Sequence, residues 1–532
     1  MSLRPRIPRL IAIVLGGLLA LAVVALWVID PTGRADAPRS APAHRHASAG
    51  SRPLVRAPRS TTLPFAVVTV PGQGRAQAVP RSFLGLSTEY WTLPFYQGHL
   101  PLLERVLSLL HVSDGGPMIV RIGGDSADHT FWVTKMQPMP RWAFRIGPSW
   151  LRLPGLLAAR DHVRLLLDLN LVTGSSPGAA RWARAANRYL PRGSIMGFEI
   201  GNEPDIYDRW QWLAQLGRGR EAAALPRRLS AGTYLNDFRA YAHVLAHVAP
   251  HVPLVAPALA NPAVDVGWLG GLIAGAHPGL GLVSVHRYPY SACVRRRSAS
   301  YPSIPRVLSD NATVGLARSI APAVRLAQHA HLPIRLTELN SVTCGGLRGV
   351  SDTFATALWA PDALFQLVKA GVDGANIHVR AFTANAAFVI TRRGLIARPL
   401  LYGMILFARA LGPDARLVPV RLSSSHRSLQ LKVWAIRVGP GVWHVLLISK
   451  GAQGARVDLR LPASGPATVQ RLQAPTVSAR GGMTLAGQQL DRAGRWRGSF
   501  VSQALAPGRG GYSVTVPRFS AALVTVRSSQ LR

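Results

Sequence analysis

Two glutamates, Glu203 and Glu338, each end a short apolar run of the chain. Pro204 follows the first, and the polar pair Asn340-Ser341 lies just beyond the second. Hydrolysis of a glycosidic bond needs one carboxyl group to protonate the leaving oxygen and a second to attack the anomeric carbon or to activate water. A single acidic residue at a strand end is commonly a helix cap or a solvated charge, so this hypothesis depends on the pair.

The elements that carry the two glutamates follow a repeating pattern. Eight apolar runs of strand type lie at residues 82–91, 118–124, 164–171, 195–204, 253–260, 282–290, 333–341 and 374–382. Helical periodicity lies between or after them at residues 100–111, 177–190, 232–249, 264–276, 313–331, 353–370 and 399–411. This alternation predicts an α/β fold, a (β/α)8 TIM barrel, with the two glutamates at the ends of its fourth and seventh strands. The active site of such a barrel lies at that face.

The chain is long enough for a second folded domain after the barrel. Short alternating runs separated by Gly, Pro and Ser begin near residue 417, which predicts an antiparallel β-sandwich. We therefore expect residues 81–412 to form the catalytic barrel and residues 413–532 the sandwich, with residues 61–80 adding a strand to the latter.

The N-terminal sequence indicates the cellular compartment in which the protein acts. Residues 10–29 are uncharged and mostly apolar, and three arginines precede them. This pattern favours an uncleaved signal anchor within residues 1–30, and a cleaved signal peptide is the alternative. The Pro-, Arg- and Ala-rich residues 31–60 then form a disordered tether, and both readings place the enzyme outside the cytoplasm, either membrane-anchored or secreted.

Several motifs resemble glycoside hydrolase family 79, the β-glucuronidase and heparanase group within the clan of retaining barrel glycosidases. They are Phe83-Leu-Gly-Leu-Ser-Thr-Glu89, Val120-Arg-Ile-Gly-Gly-Asp-Ser-Ala-Asp128, Asn202-Glu203-Pro204, His286-Arg-Tyr-Pro289 and Thr337-Glu-Leu-Asn-Ser341, the last with Gly345-Gly346 behind it. The resemblance implies a hydrolase that retains anomeric configuration, with Glu203 as acid/base and Glu338 as nucleophile.

The same resemblance implies roles for the residues around the pair. Asn202 matches the residue that binds the sugar 2-hydroxyl, and Glu89 and Asp125 match those that bind the outer hydroxyls. Tyr288 matches a tyrosine that contacts the nucleophile. From its charge and its place on the second strand, Arg121 is expected to keep the nucleophile ionised.

Recognition of a uronic acid carboxylate is a separate question. The resemblance assigns this role to glycine amides beyond the nucleophile, here Gly345 and Gly346, and Arg380 could add positive charge. The tyrosines that accompany those glycines in the family are not evident in this sequence. A β-glycosidase for neutral sugars, such as a xylosidase or glucosidase, is therefore the alternative, and a catalytically silent glycan-binding protein of the envelope is another.

The chain has two cysteines, Cys293 and Cys344, just past the predicted sixth and seventh strands. They can form a disulfide in an oxidising compartment or remain as two thiols. No Cys/His cluster has metal-ligand spacing, so we expect neither a metal nor another cofactor.

The formal net charge of +37 comes from 61 basic and 24 acidic residues. The basic residues are spread along the chain and accompany no nucleic-acid-binding motif, so we expect a glycan or glycoside partner and no nucleic acid. The densest run, Arg295-Arg-Arg297, follows the sixth strand, where it could attract an acidic glycan.

Overall fold

The computed structural model describes residues 63–72, 75–135, 138–209, 229–275, 279–508 and 510–528. The predicted signal anchor and tether within residues 1–60 lie outside these ranges. Within them, no helix is both long enough and apolar enough to cross a bilayer.

Eight parallel strands close into a barrel in chain order, which confirms the predicted fold class. They are β1 Leu84–Glu89, β2 Met118–Gly123, β3 Val163–Leu169, β4 Ile195–Ile200, β5 Leu254–Leu259, β6 Leu280–Arg287, β7 Ile334–Leu339 and β8 Gly374–His378. Both β1 and β8 belong to the same closed sheet and pair in parallel. The carboxyl ends of all eight strands therefore meet at one face.

Eight helices complete the alternation. They are α1 Leu100–Leu110, α2 Arg152–Arg160, α3 Ser176–Tyr189, α4 Ala231–Val248, α5 Val266–Gly275, α6 Val314–His329, α7 Phe354–Lys369 and α8 Pro399–Ala410. The short helix α2 was not predicted, because Pro154 and Gly155 interrupt its helical pattern. Packing of Leu153 and Leu157 against the core stabilises it despite that weak propensity.

The barrel interior changes from apolar to polar toward the carboxyl ends of the strands. An apolar layer is formed by Ile119, Leu166, Val255 and Leu282, which pack as a cluster of their own. Two residues further along β2 and β3, on the same strand face, stand Arg121 and Asp168. The period of two therefore directs charged side chains into the interior above a hydrophobic floor.

A β-sandwich follows the barrel. One sheet contains, in spatial order, Arg421–Ser424, Phe65–Thr69, Ala455–Arg460 and Tyr512–Val516. The other contains Gln77–Ala78, Arg416–Val418, Leu431–Gly439, Val442–Ser449, Ser520–Arg527, Ala467–Gln473 and Thr484–Leu485, with Gln503–Leu505 beside Ala467–Gln473. Apolar side chains of both sheets form a shared core.

Shorter elements complete the described chain. The two-stranded pairs are Thr130–Trp132 with Phe144–Ile146, Tyr290–Ser291 with Val342–Thr343, Phe388–Thr391 with Gly394–Ala397, and Gln489–Leu490 with Trp496–Arg497. The short helical segments are Tyr90–Thr92, Leu93–Gln97, Gly124–His129, Pro204–Arg209, Ile304–Leu308 and Asp310–Ala312.

A buried polar contact joins the barrel to the sandwich. Asp362 on α7 accepts a hydrogen bond from Lys450 Nζ at 2.5 Å and another from Trp434 Nε1 at 3.1 Å. Because Asp362 and Lys450 are fully buried and mutually paired, the contact fixes α7, the helix that follows the loop beyond Glu338.

Candidate active site

The two predicted glutamates meet at the carboxyl face of the barrel. One carboxylate oxygen of Glu203, one of Glu338 and one ring nitrogen of His286 all lie within 4.8 Å of one another. The glutamate side chains are 18% and 12% exposed, so both face the cleft without being fully solvated. The limit of 4.8 Å between the glutamate oxygens agrees with the separation of about 5–5.5 Å between carboxyl groups that a retaining mechanism requires.

The backbone after β4 turns sharply to direct Glu203 into the cleft. Gly201 has φ +79°, and a Cβ there would lie 2.7 Å from the Leu171 side chain. Glu203 itself has φ +53°, a conformation that is uncommon for a residue with a side chain. Its N–H donates to the Ala258 carbonyl at 3.2 Å, which holds the turn against the end of β5.

Glu338 is surrounded by donors. Tyr288 donates its hydroxyl to Oε1 at 2.6 Å, and Arg121 Nη1 donates to Oε2 at 3.0 Å. His378 Nδ1 lies 3.5 Å from the same Oε2. Burial alone would raise the pKa of Glu338, but the charges of His378 and Arg121 and the Tyr288 hydrogen bond lower it below its usual range. Glu338 is therefore a carboxylate at neutral pH.

Glu203 has the opposite environment. Burial and the negative charges of Glu338, Asp125 and Asp205 raise its pKa well above the usual range. Its Oε1 lies 3.1 Å from His286 Nδ1, and the other ring nitrogen of that histidine faces Thr337 Oγ1 at 3.1 Å. Burial and the charge of Arg121 lower the pKa of His286 well below normal, so the imidazole is neutral and does not ionise Glu203.

Arg121 is the polar centre of the barrel interior. Its guanidinium is fully buried and donates to Asp168 at 2.9 Å, to Glu199, to Asn202 Oδ1 at 3.0 Å and to Glu338. The predicted contact between Arg121 and Glu338 is therefore present. Burial raises the pKa of Asp168 well above normal although Arg121 opposes this.

The residues assigned to sugar hydroxyls lie around this centre. Asn202 is 2% exposed, and its Oδ1 is used by Arg121, so its amide NH2 is the group available to a ligand. Glu89 accepts from the Ser126 N–H at 2.9 Å and lies 3.6 Å from His378 Nε2. Gly124, at φ +70°, makes room for Glu89, since a Cβ there would lie 2.8 Å from its carboxylate.

Asp125 and Arg380 form a half-exposed pair at the rim. Arg380 Nη1 lies 3.8 Å from Asp125 Oδ2, and the two side chains are 40% and 44% exposed. Partial burial and the negative charges of Glu89 and Glu338 raise the pKa of Asp125, although Arg380 opposes the shift. Arg380 therefore forms an ion pair with Asp125 and does not face the cleft as an isolated cation.

The two glycines beyond Glu338 differ from each other. The Gly346 N–H donates to the Thr343 carbonyl at 3.1 Å, which corrects the prediction that both amides face a ligand carboxylate. A Cβ on Gly346 would lie 2.8 Å from Asn385, so close packing explains this glycine. The Gly345 N–H makes no hydrogen bond to any residue that the structure describes and is the available donor.

The two cysteines are bonded to each other, which resolves the alternative left open by the sequence. The Cys293–Cys344 bridge lies beside the paired strands Tyr290–Ser291 and Val342–Thr343, which continue β6 and β7. It therefore ties together the loops that follow Tyr288 and Glu338.

The sequence assigned no role to several polar residues of the site, namely Asp168, Glu199, His286, Thr337 and His378. All are buried and lie within strands. The signal that could have found them is a charged or imidazole side chain at an inward position of an otherwise apolar strand.

Glu203, His286 and Glu338 are also the one group of potential metal ligands among the described residues. Both oxygens of Glu338 already accept hydrogen bonds from protein donors, and both nitrogens of His286 face protein partners. This donor set suits one carboxylate and one carboxylic acid side by side better than coordination of a cation.

Comparison with known proteins finds neither a matching family model nor a matching curated sequence. Solved structures do match. A 4-O-α-L-rhamnosyl-β-D-glucuronidase from Fusarium oxysporum 12S aligns with a TM-score of 0.70 at 18% identity, covering 86% of this chain and all of that one. The GH51 arabinofuranosidase from Xanthomonas axonopodis pv. citri aligns at 0.59 and 15% identity, covering 87% of this chain and all of that one. A family 44 xyloglucanase from Paenibacillus polymyxa aligns at 0.57 and 10% identity with the same coverage. The likeness extends through both barrel and sandwich, and at these identities it concerns the fold.

Proposed function

We propose that this protein is a retaining β-glycosidase that acts by double displacement, with Glu338 as nucleophile and Glu203 as acid/base. The observation that carries the proposal is the difference in pKa between the two neighbouring glutamates. Oxygens of the two carboxyl groups lie within 4.8 Å, while the pKa of Glu338 is lowered below its usual range and that of Glu203 is raised well above it. Two carboxyl groups with divergent pKa values are the requirement of this chemistry.

In the first step, a Glu338 oxygen attacks the anomeric carbon while Glu203 gives its proton to the departing oxygen. A covalent glycosyl-enzyme ester forms and the alcohol leaves. Arg121 and Tyr288 hold the attacking carboxylate in one orientation because each binds a different oxygen of it. The Asn202 amide is available to the sugar 2-hydroxyl, and this contact strengthens as the ring flattens.

In the second step, water attacks the anomeric carbon and Glu203 takes a proton from that water, which releases Glu338. The charge of Glu338 is one cause of the raised pKa of Glu203. Since the ester carries no such charge, the pKa of Glu203 falls once the intermediate forms. The same residue is thus tuned as an acid first and as a base afterwards.

A β-glucuronide is the substrate that we propose. Three features support it, namely the available Gly345 amide, the half-exposed cation Arg380, and the fold shared with a rhamnosyl-glucuronidase. Backbone amides and a guanidinium are groups that bind carboxylates.

A neutral sugar is the second candidate. Two observations favour it: the Gly346 N–H is used within its own loop, and Arg380 already faces Asp125. The neighbours also include an arabinofuranosidase and a xyloglucanase.

A panel of 4-nitrophenyl glycosides tests the function and separates the candidates. We expect kcat/KM for the β-glucuronide to exceed that for the β-glucoside by at least about tenfold, equivalent to about 1.4 kcal/mol. Equal rates, or faster cleavage of the glucoside or xyloside, would favour the neutral-sugar candidate. If the folded protein hydrolyses none of these glycosides, a catalytically silent glycan-binding protein becomes the favoured function.

The location of the enzyme belongs to the same proposal. The basic and apolar N-terminal sequence and the Cys293–Cys344 bridge both support a position outside the cytoplasm, anchored or secreted. Fractionation of expressing cells into membrane and soluble extracytoplasmic fractions tests it.

A further inference from the structure

The acid/base Glu203 lies on a turn whose backbone is strained. Glu203 has φ +53°, and Ala258, whose carbonyl accepts the Glu203 N–H at 3.2 Å, also has φ +53°. Positive φ values cost free energy for residues that carry a side chain. Such a conformation persists only where neighbouring contacts hold it, so the position of the Glu203 carboxyl depends on what joins the end of β4 to the end of β5.

The carboxylate of Asp205 makes this connection. Its Oδ1 accepts the Ala260 N–H and its Oδ2 accepts the Asn261 N–H, both at 2.9 Å. Ala260 and Asn261 follow directly after β5, and Asp205 lies two residues beyond Glu203. One half-buried side chain therefore binds two consecutive backbone donors of the neighbouring strand end. We call this pair of hydrogen bonds the Asp205 clamp.

Both ends of the Asp205 clamp are attached to backbone that has further contacts. On the β5 side, the Ala258 N–H donates to the hydroxyl of Ser284, a fully buried residue of β6, at 3.0 Å. On the β4 side, the Ile206 N–H donates to the Glu203 carbonyl at 3.1 Å, which closes a turn around Asp205. Hydrogen bonds from backbone N–H groups to a carboxylate are stronger than neutral ones, so the clamp can hold the strained turn.

We propose that Asp205 is a positioning residue for the acid/base, because its clamp fixes the Glu203 carboxyl toward the leaving oxygen. This inference rests on the proposed glycosidase function and concerns the same site. The hydrogen bonds that hold the nucleophile Glu338 come instead from Arg121 and Tyr288. Loss of the clamp should therefore impair proton transfer to the leaving group and leave the attack by Glu338 largely intact.

Leaving groups of different acidity separate proton transfer from nucleophilic attack. Asp205→Ala should reduce kcat/KM for a methyl glycoside, whose alcohol needs protonation, by at least about 30-fold, since a displaced catalytic group loses much of its effect. The same variant should react with a 2,4-dinitrophenyl 2-deoxy-2-fluoro glycoside within about threefold of the wild-type rate, because that leaving group needs no proton. Both substrates carry the sugar that the wild type hydrolyses best.

Two further variants complete the comparison. Asparagine keeps one acceptor oxygen, so Asp205→Asn should show the same selective loss at a smaller size, and it decides the test if Asp205→Ala does not fold. Asp491, in the sandwich region, accepts two backbone N–H groups at 2.8 and 2.9 Å, and Asp491→Ala should leave both rates unchanged. Equal losses on the two substrates, or no loss on the methyl glycoside, in a folded Asp205 variant would overturn the proposal.

Hydrogen exchange tests the Asp205 clamp without turnover. Because the clamp binds the N–H groups of Ala260 and Asn261, these amides should exchange at least about tenfold faster in Asp205→Ala, as measured by mass spectrometry of the peptide that contains them. Unchanged exchange would overturn the clamp at any level of activity. If the wild type hydrolyses no glycoside, the glycosidase function fails; faster exchange would then still confirm the clamp, but its role in proton transfer would be refuted.

Discussion

The carboxyl ends of β4 and β7 each carry a glutamate, and the two side chains have opposite environments. Glu338, the second-last residue of β7, accepts hydrogen bonds from Arg121 and Tyr288, while Glu203, just after β4, faces a neutral imidazole and acidic neighbours. Burial raises the pKa of both, and the number of donors decides the net direction. One barrel can therefore hold an anion and an acid within 4.8 Å because the hydrogen bonds of Arg121 and Tyr288 to this pair both go to Glu338.

Loss of the Glu338 carboxylate should have the largest effect. Glu338→Gln keeps the shape but removes the nucleophile, so kcat should fall by at least about 10⁴-fold on every substrate, including those with good leaving groups. Steady-state rates with 4-nitrophenyl and alkyl glycosides check this, and thermal unfolding verifies that the variant folds. Retention of more than a hundredth of the activity on any substrate would be incompatible with the assignment.

Glu203→Gln should distinguish substrates by their leaving groups. Alkyl glycosides need protonation and should lose about 10²–10⁴-fold, whereas aryl glycosides with acidic phenols should lose far less in the first step. The same variant should lose the alkaline limb of the pH–rate profile, because the raised pKa of Glu203 sets that limb. Equal losses on both classes of substrate would contradict the assignment of Glu203 as the acid/base.

Azide gives a second test of Glu203. In Glu203→Ala, azide can enter the vacant space and attack the glycosyl-enzyme, which restores turnover without base catalysis. The expected product is the β-glycosyl azide, identified by proton NMR. An α-azide would indicate inversion instead.

Tyr288→Phe should reduce the difference in pKa between the two glutamates without abolishing it. The lost hydrogen bond to a charged oxygen is worth about 1.5–3 kcal/mol, which predicts about a 10- to 100-fold loss in kcat/KM. This bond lowers the pKa of Glu338, so its removal should move the acid limb of the pH profile to higher pH. Tyr290→Phe is a matched control, since Tyr290 donates to the Arg306 carbonyl, away from the pair. An unmoved acid limb in Tyr288→Phe would mean that this hydroxyl does not tune the nucleophile.

Removal of the disulfide should have the smallest effect on chemistry. Replacing Cys293 and Cys344 by serine should reduce the free energy of unfolding by about 2–4 kcal/mol, because the bridge closes a long loop. The carboxylate contacts of Glu338 do not involve the bridge, so kcat should change only a few-fold. Denaturant unfolding and rate measurements on the same samples separate the two effects. A loss of activity as large as that of Tyr288→Phe would make the bridge part of the positioning of Glu338.

The predictable parts of the molecule are those that local sequence determines. Apolar runs and helical periodicity located the eight barrel strands to within a few residues, since a strand buried on both faces needs continuous hydrophobic sequence. The ends of β4 and β7 were readable because turn-forming and polar residues follow them at once.

The unpredictable parts depend on what the fold brings together. His378 and Asp168 lie in runs that read as buried strand, and nothing local indicates that they point toward Glu338 or Arg121. The hydrogen bond from the Gly346 N–H to the Thr343 carbonyl depends on how the loop beyond Glu338 folds. Such contacts join distant strands, so no window of sequence contains them.

Trapping of the covalent intermediate tests the central claim most directly. A 2-deoxy-2-fluoro glycoside with a good leaving group forms the glycosyl-enzyme but slows its hydrolysis, so the label accumulates. Peptide mass spectrometry after proteolysis should find one fluoroglycosyl group on the peptide that contains Glu338, with fragmentation placing it on that residue. A label on Glu203, or inactivation without any covalent label, would contradict the division of roles between the two glutamates.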